Sequence, residues 1–198
     1  MNQLLFLDGC VRGEQSRTLA LARHFLARWQ AQNPDWSVEQ VDLAALELRP
    51  FSGAEVARRG EQERSGALDG PDFALARQFA AADRIVLAAP FWELSFPAVV
   101  KLYLEHISAV NVTFRYAEDG RCVGLCRADR LLYITTRGGS YDGSEDECGW
   151  RQIRGLCGMF GIQEPLLLCA EGLDDVRNDA EALLAQARAE ADGLAEFF

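Results

Sequence analysis

Apolar and polar positions along the chain fall into two alternating kinds of segment. Gln3 to Asp8, Arg84 to Ala89, Arg130 to Thr136 and Gln163 to Cys169 are short, nearly unbroken apolar runs, the pattern of strands buried on both faces. Trp36 to Leu43 alternates instead, as SVEQVDL, and predicts a half-buried strand. Between these runs, Thr18 to Trp29, Asp72 to Ala82, Pro97 to Val110, Ser144 to Phe160 and Asp174 to Phe198 place apolar residues at helical spacing. Residues 47–71 are polar, with glycines at 53, 60, 66 and 70, and predict a long excursion with room for one short helix, able to serve as a lid or an interface arm. A turn or short hairpin is predicted for Thr113 to Leu125.

Strands alternating with helices make βαβ units, hence a parallel sheet with right-handed crossovers. Five strands within 198 residues predict one α/β domain spanning 1–198, a doubly wound five-stranded parallel sheet of the flavodoxin-like kind with helices on both faces. Ligands of such sheets bind at the carboxyl ends of the strands.

Three loops at those ends carry the candidate chemistry. The first runs from Asp8 to Thr18 into a helix. Its free amides, the Ser16 and Thr18 hydroxyls and the Arg17 guanidinium at the positive end of the helix dipole suit a phosphate. Plain capping by Ser16 with a solvated Arg17 accounts for these residues equally well. The loop has neither a G-x-G-x-x-G pattern nor a Walker lysine. The second loop, Pro90-Phe91-Trp92-Glu93-Leu94-Ser95-Phe96-Pro97, ends a buried strand in large aromatics between two prolines. A hydrophobic staple is the plainer explanation, but three aromatics in six residues exceed what a staple needs, and the loop suits a flat aromatic ligand. The third, Thr135-Thr136-Arg137-Gly138-Gly139-Ser140-Tyr141, has paired glycines that let backbone approach a planar ligand; taken alone it is also a flexible turn. Together the three describe a rim for a phosphorylated flat heterocycle such as FMN.

Charge and composition narrow the partners. A formal net charge of −10 argues against non-specific binding to nucleic acid or an anionic membrane, since both need a basic surface. No run approaches the roughly 18 consecutive apolar residues of a membrane span. The beginning MNQLLFLDGC reaches Asp8 after a short apolar run with no basic stretch, so it reads as a first strand rather than an export signal. With six scattered cysteines this predicts reduced thiols and a cytoplasmic location. Only two histidines are present, His24 and His106, so neither a zinc site nor a Ser/His/Asp set is supported, and both histidines are expected to be structural.

The segment AAPFWELSFPAVVKLYLEHI resembles the flavin loop of the flavodoxin-like NAD(P)H:quinone oxidoreductases. The run VTFRYAEDGRCVGL, RLLYITTRGGSY, GMFGI resembles the FMN-dependent NADH-azoreductases. The resemblance implies a tightly bound FMN that carries the hydride chemistry, with NADH or NADPH and then a quinone, azo or nitroaromatic acceptor using one place in turn. It implies a homodimer with sites at the interface and a small aromatic acceptor. Cys10, Ser16, Arg17 and Thr18 match the phosphate and ribityl loop. Phe91, Trp92, Glu93 and Leu94, after Pro90, match the loop beside the ring, and Thr136, Arg137, Gly138 and Gly139, with Tyr141 following, match the loop at its pyrimidine edge. Tyr116 matches a position that reaches the partner's site, and Phe160 an aromatic of the substrate pocket. Arg137 and Arg17 are the first candidates to meet an anionic donor. Two residues depart from the pattern: Cys10 stands where azoreductases usually have serine, and Glu93 where many have asparagine. A carboxylate beside an anionic reduced flavin is unfavourable, so Glu93 is expected to point outward and contribute through its backbone. An isolated chain is expected to leave Trp92 and Phe96 in water. Two other classes fit the same fold: an electron carrier of the flavodoxin kind, and a binding or regulatory protein that has lost the flavin.

Overall fold

A computed structural model describes residues 2–198. Five parallel strands, β1 (Gln3–Asp8), β2 (Ser37–Asp42), β3 (Arg84–Ala88), β6 (Arg130–Thr136) and β7 (Glu164–Ala170), lie in the order β2-β1-β3-β6-β7. The chain first builds outward from β1 to β2, then crosses back to β3 and continues to the other edge. The direction of winding therefore reverses between β1 and β3, and the loops after these two strands part there.

The apolar runs follow from this order. β1 and β3 have neighbours on both sides, and successive residues serve opposite faces. Leu5, Leu7, Ile85, Leu87 and Tyr133 pack beneath α3 (Ala74–Ala81), α4 (Ala98–Ile107) and α5 (Cys148–Phe160). Leu4, Phe6, Val86, Ala88, Leu132 and Ile134 pack beneath α1 (Arg17–Gln32) and α6 (Ala180–Ala195). β2 and β7 are the two edge strands. β2 alternates between at least half-buried and exposed positions. β7, expected to be buried on both faces, keeps its apolar run but is mostly half-buried, because it has a neighbour on one side only.

The excursion at 47–71 differs from expectation. It contains α2 (Gly53–Ser65), a full helix of 13 residues rather than a short one. Its start is a capping box: Ser52 Oγ accepts from the Glu55 amide while the Glu55 carboxylate accepts from the Ser52 amide at 2.7 Å. The segment is not a loose lid. Arg59, 7% exposed, donates to Asp72 O (2.9 Å) and His106 O (2.7 Å) and lies between the rings of Phe51 and Phe73. A cation is thus set on the last carbonyls of α4, where the helix dipole favours it.

Four helix starts also shift inward: α3 begins at Ala74, behind a 3-10 turn over Pro71–Phe73, and three others follow suit. Pro97 precedes α4 rather than opening it, α5 begins at Cys148 behind the Glu147 cap, and α6 begins at Ala180 behind the Asp179 cap. The predicted hairpin is present as β4 (Phe114–Tyr116) paired antiparallel with β5 (Cys122–Gly124). It packs on the carboxyl end of α5, where the Cys126 amide donates to Phe160 O at 3.1 Å.

Candidate flavin site at the sheet's carboxyl edge

The parting of the loops after β1 and β3 opens a cleft of about 220 Å³ lined by Arg12, Ser16, Arg17, Thr18, Pro90, Phe91, Trp92, Thr136, Gly138 and Asp174. All three loops singled out from the sequence meet in it. A larger cavity, about 600 Å³, is elsewhere, an open groove among α2, α4 and α5 with no convergent polar groups from the strand ends.

On one side the cleft is a helix start. Ser16 caps α1, its Oγ accepting from the Leu19 amide at 3.2 Å. The Arg17 and Thr18 amides occupy the first turn, where no intrahelical acceptor exists. Capping and anion binding are therefore compatible here rather than rival readings. The Thr18 hydroxyl is buried and lies 2.6 Å from that of Thr136, tying the first loop to the third. Arg17 reaches Asp174 Oδ1 at 2.7 Å and Leu173 O at 3.4 Å, so its guanidinium shares its charge with a carboxylate that also lines the cleft.

On the other side is the aromatic loop. The Phe91 amide donates to Thr136 O at 3.1 Å, and the Phe91 ring packs on Tyr141 with centroids 4.6 Å apart. Trp92 and Ser95 exchange backbone hydrogen bonds at 3.2 and 2.8 Å, closing a tight turn whose two central residues, Glu93 and Leu94, have φ of 49° and 62°. That is the mirror-image turn normally built from Gly and Asn, and two side-chain-bearing residues here hold it under strain. Glu93 is exposed at its tip, outward as expected, with no hydrogen-bond or ionic partner among the described residues. Trp92 is 40% exposed but Phe96 only 7%, so the expectation that Phe96 lies in water is corrected: it packs into the core beside Val100.

The carbonyls of the third loop bond the segment that follows β7. Those of Arg137, Gly138 and Gly139 accept from Leu173, Asp174 and Gly172, at 3.0 to 3.1 Å. The Gly138 and Gly139 amides have no acceptor among the described residues. A side chain at Gly138 would meet the Asp174 carboxylate, which would have to swing aside.

Four expected site residues stand elsewhere. Cys10 is buried with its sulfur 3.6 Å from Ala88 O, and burial pushes its thiol up to about 12. It braces the first loop from behind; Asp8 Oδ1 accepts its amide at 2.9 Å, and burial also pushes the Asp8 carboxyl up. Arg137 is 3% exposed and pairs with Glu147 Oε1 at 2.9 Å, so it offers no charge to a donor in the cleft. Phe160 is 1% exposed and packs on Phe79. It sits at the carboxyl end of α5, which lies at the amino edge of the sheet, and is a core residue of this chain. Tyr116 is 62% exposed on β4, at that same far end, and cannot reach its own cleft. The histidines are structural: His24 meets Asp192 at 3.0 Å, and His106 meets Arg49 O at 3.1 Å with its ring against Phe51.

Arg12 and Asp174 line the cleft without having been singled out. Arg12 sits inside the first loop, so its position was visible; Asp174 arrives from beyond β7, and only the fold brings it in.

The chemistry of the cleft fits a phosphorylated planar ligand: free amides and hydroxyls at a helix start, aromatic faces, and glycine amides on the opposite wall. No helix among the described residues is long and apolar enough to cross a membrane.

Residues 2–194 match the family described as "Flavodoxin-like fold". The chain is 31% identical over 199 residues to the FMN-dependent NADH:quinone oxidoreductase of Clostridium beijerinckii, with 100% of each covered. It is 34% identical over 188 residues to FMN-dependent NADH:quinone oxidoreductase 2 of Clostridium acetobutylicum, with 93% of each covered. Among solved structures, azoreductase from Bacillus anthracis superposes with a TM-score of 0.89 at 26% identity, 100% of both chains being covered. With relatives above 30% identity along the whole chain, and with the cleft at the switch point of the matching fold, the chain belongs to the flavodoxin-like family of FMN-dependent NADH:quinone oxidoreductases.

Proposed function

We propose that this chain is an FMN-dependent NADH oxidoreductase that reduces quinones, azo compounds or other small aromatic acceptors by two electrons, using one place for donor and acceptor in turn. The observation that carries this reading is the convergence of a helix start, an aromatic loop and a glycine loop in one cleft between β1 and β3. FMN, when bound, supplies the hydride chemistry. The chain's residues bind and orient it. The Arg17 and Thr18 amides, the Ser16 hydroxyl and the Arg17 guanidinium would hold the phosphate. Phe91 and Trp92 would offer ring faces, and the Gly138 and Gly139 amides, which have no acceptor among the described residues, would favour negative charge on the ring. No side chain is required as acid or base.

At about 220 Å³ the cleft is smaller than the about 300–1,000 Å³ of usual ligand pockets. A homodimer would complete it, with the exposed Tyr116 of a second copy closing the open side. The 198 residues act as a single flavin-binding domain, and the six free thiols fit a reducing cytoplasm.

The test is the visible spectrum of the purified protein, followed by anaerobic NADH. A flavin spectrum that bleaches with NADH is expected. Colourless protein that FMN does not reconstitute would overturn the reading, and a bound flavin that NADH leaves oxidised would make the chain an electron carrier instead.

A further inference from the structure

Arg137 is the first residue past β6, and its side chain is 2% exposed, closed off from the cleft it borders. Its guanidinium has three neighbours from three parts of the chain. Nη2 donates to Glu147 Oε1 at 2.9 Å, Nη1 lies 3.6 Å from Glu171 Oε1, and the group stacks over the Phe91 ring at 5.1 Å. Each neighbour has a second task. Both Glu147 oxygens accept from the Trp150 amide, at 2.9 and 3.1 Å, capping α5. The first residue of that helix, Cys148, donates its amide to Leu94 O in the strained turn at 3.0 Å. Glu171 Oε1 accepts from the Tyr141 and Asp142 amides at 3.1 and 3.0 Å. Phe91 in turn packs on Tyr141.

We propose that Arg137 is a positioning residue, the centre of a buried ionic brace with Glu147 and Glu171 that sets the aromatic loop against the glycine loop and so fixes the width of the flavin cleft. This rests on the flavin reading above and deepens it. Stability alone does not account for the arrangement. Burying a guanidinium between carboxylates costs desolvation that well-packed apolar side chains would avoid, and the Arg137 Nε is buried with no partner among the described residues. What the cluster supplies is geometry: a planar fork can address two carboxylates while its face lies on an aromatic ring, and lysine cannot do all three. Arg137 therefore acts through Phe91, Leu94 and Tyr141 and touches neither flavin nor donor.

The experiment compares apoprotein reconstitution across variants, reading the FMN dissociation constant from quenching of flavin fluorescence and the bound-flavin absorption spectrum, with thermal unfolding of each apoprotein alongside. Arg137→Met should weaken FMN by about tenfold to a hundredfold, the range supporting partners command at preorganised sites, with an altered bound spectrum. Arg137→Lys should recover part of the loss. Glu171→Gln keeps the Arg137–Glu147 pair and should weaken FMN with little change in melting temperature, which keeps the proposal testable if Arg137→Met does not fold. Phe198→Leu, buried at the opposite edge of the sheet against Phe25 and Trp29, serves as a destabilised control and should bind FMN as the unaltered protein does. The proposal is overturned if Arg137→Met and Glu171→Gln bind FMN normally, or if Phe198→Leu loses as much affinity as they do. Failure of the unaltered protein to bind FMN would instead overturn the functional reading.

Discussion

The two sides of the cleft are made from different materials. The side proposed for the phosphate is a helix start with its own cap, and the ion pair at its mouth, Arg17–Asp174, is open to water, with side chains 40% and 67% exposed. The side proposed for the ring is a strained turn held by a buried ionic cluster, Arg137–Glu147, with side chains 2% and 8% exposed. The first kind of site needs only local backbone geometry, which any capped helix provides. The second needs parts from four segments to agree on a position, and stores strain to do it. Substitutions should therefore be costly on the ring side and mild on the phosphate side.

The largest effect is expected at Glu147. Glu147→Ala removes the cap of α5 and leaves Arg137 as a buried charge short of its best partner, and should cost about 3 kcal/mol or more in urea unfolding. A loss below about 1 kcal/mol would mean that the cluster relaxes and that the contrast between the two sides is false. Next comes Trp92→Ala, which removes an exposed aromatic face without touching the core. FMN affinity should fall about tenfold, on the scale of an aromatic contact, while unfolding stays unchanged. Unaltered affinity and turnover would make Trp92 simple packing.

A smaller effect, of opposite sign, is expected in the turn itself. Glu93→Gly frees a position with φ of 49° from its side-chain penalty and should raise stability by about 1 kcal/mol. For a chain of this size that is a melting rise of roughly 2–4 °C. FMN binding should not suffer if, as proposed, Glu93 contributes through its backbone alone. A drop in affinity would show that the carboxylate, the clearest departure from the azoreductase pattern, has a role in the site.

This contrast also explains what the sequence could reveal. Four strands are legible as nearly unbroken apolar runs, and β2, one of the two edges, by its alternation. The first loop was legible because helix capping is local. So was the aromatic character of the second, although nothing about Phe96 distinguishes a rim residue from one that folds back into the core. Arg137 was seen, but as a free cation; its carboxylate partners lie 10 and 34 positions away, and no local pattern pairs them. Cys10 lies in the loop the resemblance assigns it to, but its sulfur turns to Ala88 at the end of β3, 78 positions on, a pairing that no local pattern shows. The full length of helix α2 is masked in the sequence by its glycines, although the S-x-x-E capping box at Ser52 and Glu55 marks its start.

The smallest effect separates the two sides most finely. Asp174 places a carboxylate 2.7 Å from the Arg17 guanidinium at the mouth of a cleft read as a phosphate site, so it competes with the ligand for that cation. An exposed pair of this kind is worth at most about 1 kcal/mol, so Asp174→Ala should leave unfolding within about 0.5 kcal/mol of the parent. Removing the competitor should strengthen FMN binding by a few-fold at low ionic strength. The gain should vanish near 1 M salt, where the screening length falls to about 3 Å. If affinity falls instead, Asp174 orients Arg17 rather than competing for it, and the phosphate side is as deliberately braced as the ring side. Titration of the variant at two salt concentrations decides between a site that merely exposes a helix start and one that aims a cation at it.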